Sequence, residues 1–353
     1  MSSASGSRVA VVGATGAVGS TMLKLLRERD FPASEIVPFA SERSAGREVE
    51  GFKVVALSED RIDGFEIALF SAGSGVSREW APRFVDRGAV VIDNSSCWRM
   101  EPDVPLVVAE VNPDAIAGHR GIIANPNCTA MQALVVLKPI HDAVGLERIV
   151  FCSYQSTSGT GNDAITELTD QAHAILHGLE PPAASVYPHR IAFNVLPQVE
   201  TFKDGDEYTT EERKVIAESR KILEIPDLRV TVTCARVPVI NCHSEALNIE
   251  TRADLSPDDC RALLGHAPGV IVVDDPAAGR YPLASEVSGH DEVFVGRIRR
   301  DESNPRTLNM WIVGDNLRKG AATNAIQIAE LLLARHGLRR DPSAAAVAAM
   351  PEG

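Results

Sequence analysis

The chain has 353 residues, 44% of them hydrophobic and 24% charged, with a formal net charge of −13. This length exceeds the usual size of one hydrophobic core, so we expect two domains. The negative charge argues against a nucleic-acid-binding surface. No apolar run approaches membrane-spanning length, and residues 1–7 lack a signal-sequence core, so we predict a cytoplasmic protein. Six cysteines without metal-ligand spacing indicate free thiols in a reducing compartment.

The chain begins with the pattern of a dinucleotide-binding unit. An apolar strand at 8–12 leads into the glycine-rich turn Gly13-Ala-Thr-Gly-Ala-Val-Gly19 and a helical segment at 20–29. Glycines in such a turn let the backbone approach a pyrophosphate at a helix N-terminus, as in a Rossmann domain. The pattern therefore predicts a nucleotide held by the turn and the start of the helix, at Gly13, Thr15, Gly16, Ala17 and Val18.

The next strands indicate which nucleotide binds and where the ligand lies. A strand at 36–40 ends where a Rossmann domain meets the adenosine ribose. Arg43 and Ser44 there would accommodate a 2′-phosphate, whereas Glu42 is the residue type that selects NAD. We predict NADP, with NAD as the alternative. A strand at 67–70 then ends in small residues beginning with Ser71, as a ligand lying along the carboxyl edge of a parallel sheet requires.

A strand at 89–93 precedes a loop with two polar candidates, Asn94 and Arg99. The Arg99 guanidinium could hold an anion through two parallel hydrogen bonds. The alternative is that Arg99 is an ordinary surface arginine, which is the commoner role for an isolated arginine in a loop.

Cys128 is the strongest catalytic candidate. A short apolar strand at 122–124 is broken by Asn125-Pro-Asn127, and helical character begins at Thr129. At the mouth of a helix, unpaired N–H groups and the helix dipole would lower the pKa of the Cys128 thiol, and the same amides could hold an oxyanion. The alternative is that Cys128 is a small packed hydrophobe.

Three further candidates belong to strands in the second half of the chain. Gln155 ends an alternating strand at 147–155, where it would orient a substrate carbonyl or only cap the following glycine turn. Arg236 ends a strand at 229–236, and His243 lies in a continuation interrupted at Pro238. This interruption would let both side chains face one pocket, which makes His243 the favoured general base.

The pattern of elements predicts an α/β fold in two domains. We expect a Rossmann-type domain at 8–128, completed by a C-terminal helix at 316–338 that returns Asn316 to the cofactor. An α+β catalytic and dimerisation domain with a mixed sheet would occupy 129–315, with disordered tails at 1–7 and 339–353. His173 and His177 have metal-compatible spacing but no third ligand nearby, so we predict no metal site.

Taken together, these motifs resemble those of the aspartate-β-semialdehyde dehydrogenase family along roughly Arg8 to Leu338. The matching stretches are Val-Gly-Ala-Thr-Gly-Ala-Val-Gly19, Asn-Pro-Asn-Cys-Thr129, Tyr-Gln-Ser-Thr-Ser-Gly159, Arg236 with Cys-His-Ser-Glu245, and Gly-Asp-Asn-Leu-Arg-Lys-Gly-Ala-Ala322. The resemblance implies that Cys128 is the nucleophile, His243 the general acid/base and Gln155 the residue that orients the acyl intermediate.

The resemblance also implies the ligand contacts. Arg236 would bind the substrate α-carboxylate and Glu218 its ammonium. Arg99 and Lys221, with Asn94 nearby, would hold the phosphate. Nucleotide contacts would include Ser158, Gly159 and Asn316.

The implied reaction is NADPH-dependent reductive dephosphorylation of L-aspartyl-4-phosphate to L-aspartate-4-semialdehyde through a Cys128 thioester. The resemblance places this step in lysine/diaminopimelate, methionine, threonine and isoleucine biosynthesis. It also implies a homodimer, with a tetramer as a further possibility. The alternatives are N-acetyl-γ-glutamyl-phosphate reductase, another phosphorylating aldehyde dehydrogenase, or a non-catalytic NADP-binding regulatory protein.

Overall fold

The computed structural model describes residues 6–335. The strands before residue 125 are β1 (Ser7–Val12), β2 (Ala33–Ala40), β3 (Glu48–Val49), β4 (Phe52–Lys53), β5 (Val55–Ala56), β6 (Ile67–Phe70), β7 (Val90–Asp93) and β8 (Ile122–Ala124). Six of them form a parallel sheet in the order β5-β2-β1-β6-β7-β8, which we call the first sheet. The order reverses beside β1, and ligands of such sheets bind at this switch point.

The strands of the second half are β9 (Leu146–Gln155), β10 (Arg229–Arg236), β11 (His243–Thr251), β12 (Val270–Val272), β13 (Val293–Arg300) and β14 (Thr307–Gly314). They form the second sheet, in the order β10-β9-β11-β14-β13-β12. The β9–β10 and β12–β13 pairs are parallel and the others antiparallel, so the predicted mixed sheet is confirmed.

The helices are α1 (Ala17–Glu28), α2 (Gly73–Asp86), α3 (Cys128–Val144), α4 (Asn162–Leu176), α5 (Thr210–Leu223), α6 (Pro257–Leu264), α7 (Ala284–Val287) and α8 (Asn324–Arg335), with a π-helical turn at Arg318–Thr323 before α8. Within residues 6–335, no helix combines the length and apolar character that crossing a bilayer requires.

Each sheet has its own hydrophobic core, because each is covered by helices with an apolar face. On the first sheet, Met22 of α1 and Ile328 of α8 pack with Val9 of β1. The C-terminal helix thus returns to the first sheet. On the second sheet, Leu134 of α3 packs with Phe151 of β9. The helix that begins at the candidate nucleophile therefore belongs to the core of the second sheet.

The ends of three strands explain how Arg236 and His243 come to one place. β10 and β11 both pair with β9, on its opposite sides. Arg236 lies in register with Gln155, and His243 begins β11 at the same edge. The two residues share a face because they lie on separate strands. The expected continuation of a single strand past Pro238 was wrong, since residues 237–242 form a connection and β11 begins only at His243.

The predicted N-terminal tail at 1–7 was too long. Ser7 is buried, donates its N–H to the Pro32 carbonyl at 3.0 Å and begins β1. The remaining predicted tail segments, 1–5 and 339–353, lie outside the described residues.

Candidate active site

A cleft of about 740 Å³ lies where the carboxyl edge of the first sheet meets the edge of the second sheet that carries Gln155, Arg236 and His243. The structure brings six of the predicted catalytic and substrate-binding residues to its walls. They are Asn94, Arg99, Cys128, Gln155, Arg236 and His243.

Cys128 and His243 form the reactive pair of the cleft. The Cys128 Sγ lies 3.3 Å from His243 Nε2, and the imidazole is fully buried. Burial, with the positive charge of Arg236, lowers the pKa of His243 well below its ordinary value. Burial and then the charge of Glu211 raise the pKa of Cys128 to about 12. The ligand-free pair is therefore a neutral thiol beside a neutral imidazole.

The expected lowering of the Cys128 pKa by the helix terminus was wrong. The Asn127 side chain caps α3, since its Oδ1 accepts the N–H groups of Thr129 at 2.9 Å and Ala130 at 3.1 Å. These amides are not free for a thiolate or an oxyanion. His243 is the titratable group that lies at hydrogen-bond distance from the thiol.

Gln155 and Arg236 lie on the far wall of the cleft. Gln155 Nε2 donates to Ser153 Oγ at 3.2 Å and to Glu211 Oε1 at 3.1 Å. One arm of Arg236 donates to the Ser156 carbonyl at 2.6 Å, while its buried Nε has no hydrogen-bond partner among the described residues. A buried, unpaired guanidinium N–H beside a reactive thiol is suited to an anionic ligand.

Arg99 is buried and lines the cleft, so it is not an ordinary surface arginine. Its guanidinium donates to the carbonyls of Asn125 at 3.0 Å and Asn94 at 2.8 Å, and pairs with Glu218 at 3.0 Å. The Asn94 amide is fixed in turn by the Phe70 carbonyl at 2.9 Å. Both side chains line the cleft, and these hydrogen bonds hold them in place.

Glu218 and Lys221 lie outside the cleft walls, contrary to expectation. Glu218 is buried, and its second oxygen accepts the Asn127 N–H at 2.6 Å. The Lys221 ammonium donates to three backbone carbonyls, those of Arg99, Glu101 and Val104, at 2.7, 3.0 and 3.0 Å. Both side chains support the Arg99 loop from behind, so neither is placed to meet a substrate.

Two residues that sequence reasoning missed take their place. Glu211 and Lys214, seven positions earlier on α5, line the cleft. Glu211 Oε1 also accepts Asn127 Nδ2 at 2.9 Å. Lys214 Nζ pairs with Glu200 and lies 3.8 Å from Glu211 Oε2. The capping box of Thr209 and Glu212 marks the start of α5 in the sequence but does not indicate which of its turns reaches the cleft.

The residues predicted to hold a dinucleotide fit one. A Cβ at Gly13, whose φ is +89°, would lie 2.4 Å from the Ser71 carbonyl oxygen, so only glycine allows this close turn. α1 begins after Gly16 without a side-chain cap or an acidic residue in its first turn, which leaves its N–H groups for a phosphate. Thr15 and Ala17 belong to the same turn and helix start.

The cleft extends from this turn to the thiol. Five of the predicted nucleotide contacts line it, namely Val18, Ser71, Ser158, Gly159 and Asn316. Arg43, exposed, and Ser44, half-buried, lie in a turn after β2 and not on these walls. A nucleotide held at the turn can therefore extend along the cleft to Cys128.

These features define an oxidoreductase that combines a dinucleotide-binding sheet with a cysteine–histidine pair. Residues 8–119 match the family model described as semialdehyde dehydrogenase, NAD binding domain, and residues 137–319 the model described as semialdehyde dehydrogenase, dimerisation domain. Aspartate-semialdehyde dehydrogenase of Aquifex aeolicus is 52% identical over 93% of this chain and 98% of its own. That of Legionella pneumophila is 52% identical over 92% and 95%.

Solved structures show the same family relationship. Aspartate semialdehyde dehydrogenase II from Vibrio cholerae superposes with a TM-score of 0.89 at 46% identity, covering 94% of this chain and 99% of that one. The same enzyme complexed with ASA gives a TM-score of 0.89 at 46% identity over 94% and 98%. The chain belongs to the aspartate-semialdehyde dehydrogenase family.

Proposed function

We propose that this chain reduces L-aspartyl-4-phosphate to L-aspartate-4-semialdehyde with NADPH and releases phosphate. The observation that carries the proposal is the 3.3 Å approach of Cys128 Sγ to His243 Nε2, in a cleft that five of the predicted nucleotide contacts also line. The Vibrio cholerae relative complexed with ASA supports the choice of substrate.

Cys128 and His243 would carry the covalent steps. As the sulfur attacks the acyl carbon, the thiol proton passes to His243 Nε2, the S–C bond forms and the C–O bond to phosphate breaks. Bound NADPH supplies a hydride to the acyl carbon. When the resulting hemithioacetal anion collapses, its C=O bond re-forms, the C–S bond breaks and His243 returns its proton to the sulfur. Gln155, at the cleft wall, would orient the acyl oxygen.

The charged groups of the cleft fit a substrate with two anionic ends and one cationic group. The unpaired Nε of Arg236 would take the α-carboxylate. Arg99, with Asn94 nearby, and Lys214 on the other wall would hold the phosphate. Glu211, between Gln155 and Lys214, would bind the ammonium. Glu211 and Lys214 replace Glu218 and Lys221 in the roles that the family resemblance implied.

The remaining assignments are also part of the proposal. The Gly13–Val18 turn would hold the pyrophosphate, and Arg43 and Ser44 would favour NADP over NAD. Residues 8–128 with the C-terminal helix would be the nucleotide domain, and residues 129–315 the catalytic domain. The match to a dimerisation model supports a homodimer formed through the latter, with a tetramer as its further assembly.

The test is phosphate-dependent reduction of NADP by the purified protein with L-aspartate-4-semialdehyde. We expect turnover that requires phosphate and disappears in Cys128→Ala. If the protein turned over N-acetylglutamate semialdehyde and not L-aspartate-4-semialdehyde, the substrate assignment would be overturned in favour of N-acetyl-γ-glutamyl-phosphate reductase. NADP binding without turnover on either aldehyde would favour a regulatory protein.

A further inference from the structure

The two ring nitrogens of His243 face different partners. Nε2 faces the Cys128 sulfur at 3.3 Å. Nδ1 lies 3.1 Å from the backbone N of Ser156 and also 3.1 Å from its hydroxyl oxygen. Ser156 is fully buried in the turn after β9 and supplies both of these hydrogen-bond contacts of Nδ1.

The backbone N–H of Ser156 selects one neutral tautomer. A peptide N–H can only donate, so Nδ1 must offer its lone pair, and the single proton of the neutral ring is then on Nε2. In that form the ring donates toward the Cys128 sulfur. It has no free lone pair at Nε2 with which to accept the thiol proton.

The Ser156 hydroxyl stabilises the other form of the ring, in which a proton is on Nδ1. Its proton is directed to Asn316 Oδ1 at 3.0 Å, and this oxygen is identified as the acceptor because the Cys242 N–H also donates to it at 3.0 Å. The Ser156 Oγ therefore presents a lone pair to Nδ1. A ring with its proton on Nδ1 can donate to this oxygen and accept the thiol proton at Nε2.

We infer that Ser156 is a positioning residue that sets the protonation state of His243. Its N–H holds the resting ring with the proton on Nε2, as a donor to sulfur. The ring takes the thiol proton at Nε2 once its own proton has exchanged to Nδ1, where the Ser156 hydroxyl accepts it. This inference rests on the proposed function, because it concerns the same reaction. The proton transfer from the Cys128 thiol to His243, however, needs neither substrate nor nucleotide. Its failure can therefore be told apart from failure of the proposed function.

Of the other groups around the ring, the Cys242 backbone favours protonation, while the side chains oppose it or leave it unchanged. Arg236 from β10 places a positive charge near the imidazole, and Cys128 from α3 is a neutral thiol in the ligand-free site. Glu211 from α5 acts on Cys128. Glu245, two residues further on β11, is directed to Gln132 at 2.6 Å. Among the described residues, the Ser156 hydroxyl is thus the side-chain acceptor that lies at hydrogen-bond distance from Nδ1.

The test is alkylation of Cys128 by iodoacetamide between pH 6 and 10, followed by mass spectrometry of its peptide, without nucleotide or substrate. In Ser156→Ala the apparent pKa of Cys128 should rise by about one pH unit and its alkylation near neutral pH should fall about tenfold, the loss expected for one charge-assisted hydrogen bond. Thr157→Val is the matched control, since the Thr157 hydroxyl lies in the same turn but contacts only the Val239 carbonyl at 3.3 Å among the described residues.

We expect the control to follow the wild-type pH profile within about twofold, well below the effect of one hydrogen bond. An unchanged profile in Ser156→Ala, or an equal shift in Thr157→Val, would overturn the inference. Nitrogen-15 NMR of the His243 ring in Cys128→Ala gives a second measurement that does not require the serine variant. A neutral ring with its proton on Nε2 supports the inference, and one with its proton on Nδ1 contradicts it.

Discussion

Glu218→Ala should destabilise the fold, whereas Glu211→Ala should mainly weaken substrate binding. Glu218 is 1% exposed and pairs with Arg99 at 3.0 Å, while its other oxygen accepts the Asn127 N–H. The alanine variant would leave a buried guanidinium without its negative partner and a buried N–H without an acceptor. Removing one partner of a buried ion pair costs about 3–5 kcal/mol.

The expected change in melting temperature follows from the size of the chain. An unfolding entropy of about 2.1 cal/mol/K per residue over 353 residues is about 0.7 kcal/mol/K, so the Tm of Glu218→Ala should fall by about 4–7 °C. Glu218→Gln should lose less, because it keeps an acceptor for Arg99. Burial already raises the pKa of Glu218 against the opposing effect of Arg99, so its charge is held at a desolvation cost.

The contrasting variant is Glu211→Ala. The Glu211 carboxylate lies at the cleft wall and would pair with the substrate ammonium. In the alanine variant, KM for L-aspartate-4-semialdehyde should therefore rise about 10- to 100-fold, which corresponds to the loss of an ionic hydrogen bond. Its Tm should also fall, because Glu211 is buried and accepts from Asn127 Nδ2 and Gln155 Nε2, so KM is the decisive reading for this variant.

Thermal unfolding by circular dichroism and steady-state kinetics on both variants decide the question. Activity of Glu218→Ala will also fall, because Arg99 lines the cleft, so the melting temperature is the decisive reading for that variant. A wild-type Tm in Glu218→Ala together with a raised KM would refute this reasoning and return Glu218 to the substrate.

Three further predictions follow from close contacts and buried charge. Gly159→Ala would place a Cβ 3.1 Å from Cε1 of the catalytic imidazole, so kcat should fall about tenfold with little change in Tm, and unchanged kinetics would contradict the contact. Gly320→Ala would place a Cβ 2.9 Å from the Cβ of Cys128, so thermal unfolding should show a loss of about 1–3 kcal/mol, with slower alkylation of the thiol. Burial raises the pKa of Glu245 well above its ordinary 4.5, so the folded state keeps this carboxyl neutral while the unfolded chain ionises it. The free energy of unfolding therefore falls as pH rises above 4.5. The Tm gain of Glu245→Gln should accordingly be larger at pH 8 than at pH 5, and a gain independent of pH would show that the carboxyl is not neutral.

The sequence located the main parts of the cleft because its residues follow breaks in apolar strands. Gln155 is the last residue of β9, and Cys128 follows the break after β8. The carboxyl ends of neighbouring parallel strands meet at one edge. Glu211 was missed for a different reason. Positions 211 and 218 are two helical turns apart and share a face of α5, so periodicity cannot tell which one reaches the cleft.

The pKa of Cys128 could not be obtained from the sequence either. The helix dipole is a local property of α3, but burial and the charge of Glu211 are tertiary and act in the opposite direction. Whether a helix terminus is free or capped also depends on one rotamer, here that of Asn127. Local pattern fixes which residues are candidates, while packing fixes their ionisation.

The position of the thiol–imidazole pair makes turnover a reporter of how the two halves of the molecule dock. The glycine-rich turn that would hold the nucleotide belongs to the first sheet, whereas Cys128 begins a helix in the core of the second sheet and His243 begins a strand of that sheet. In rising denaturant, a slight separation of the sheets would therefore abolish turnover before either sheet lost its hydrogen bonds. Activity and circular dichroism should then show separate transitions, with catalysis lost at the lower denaturant concentration.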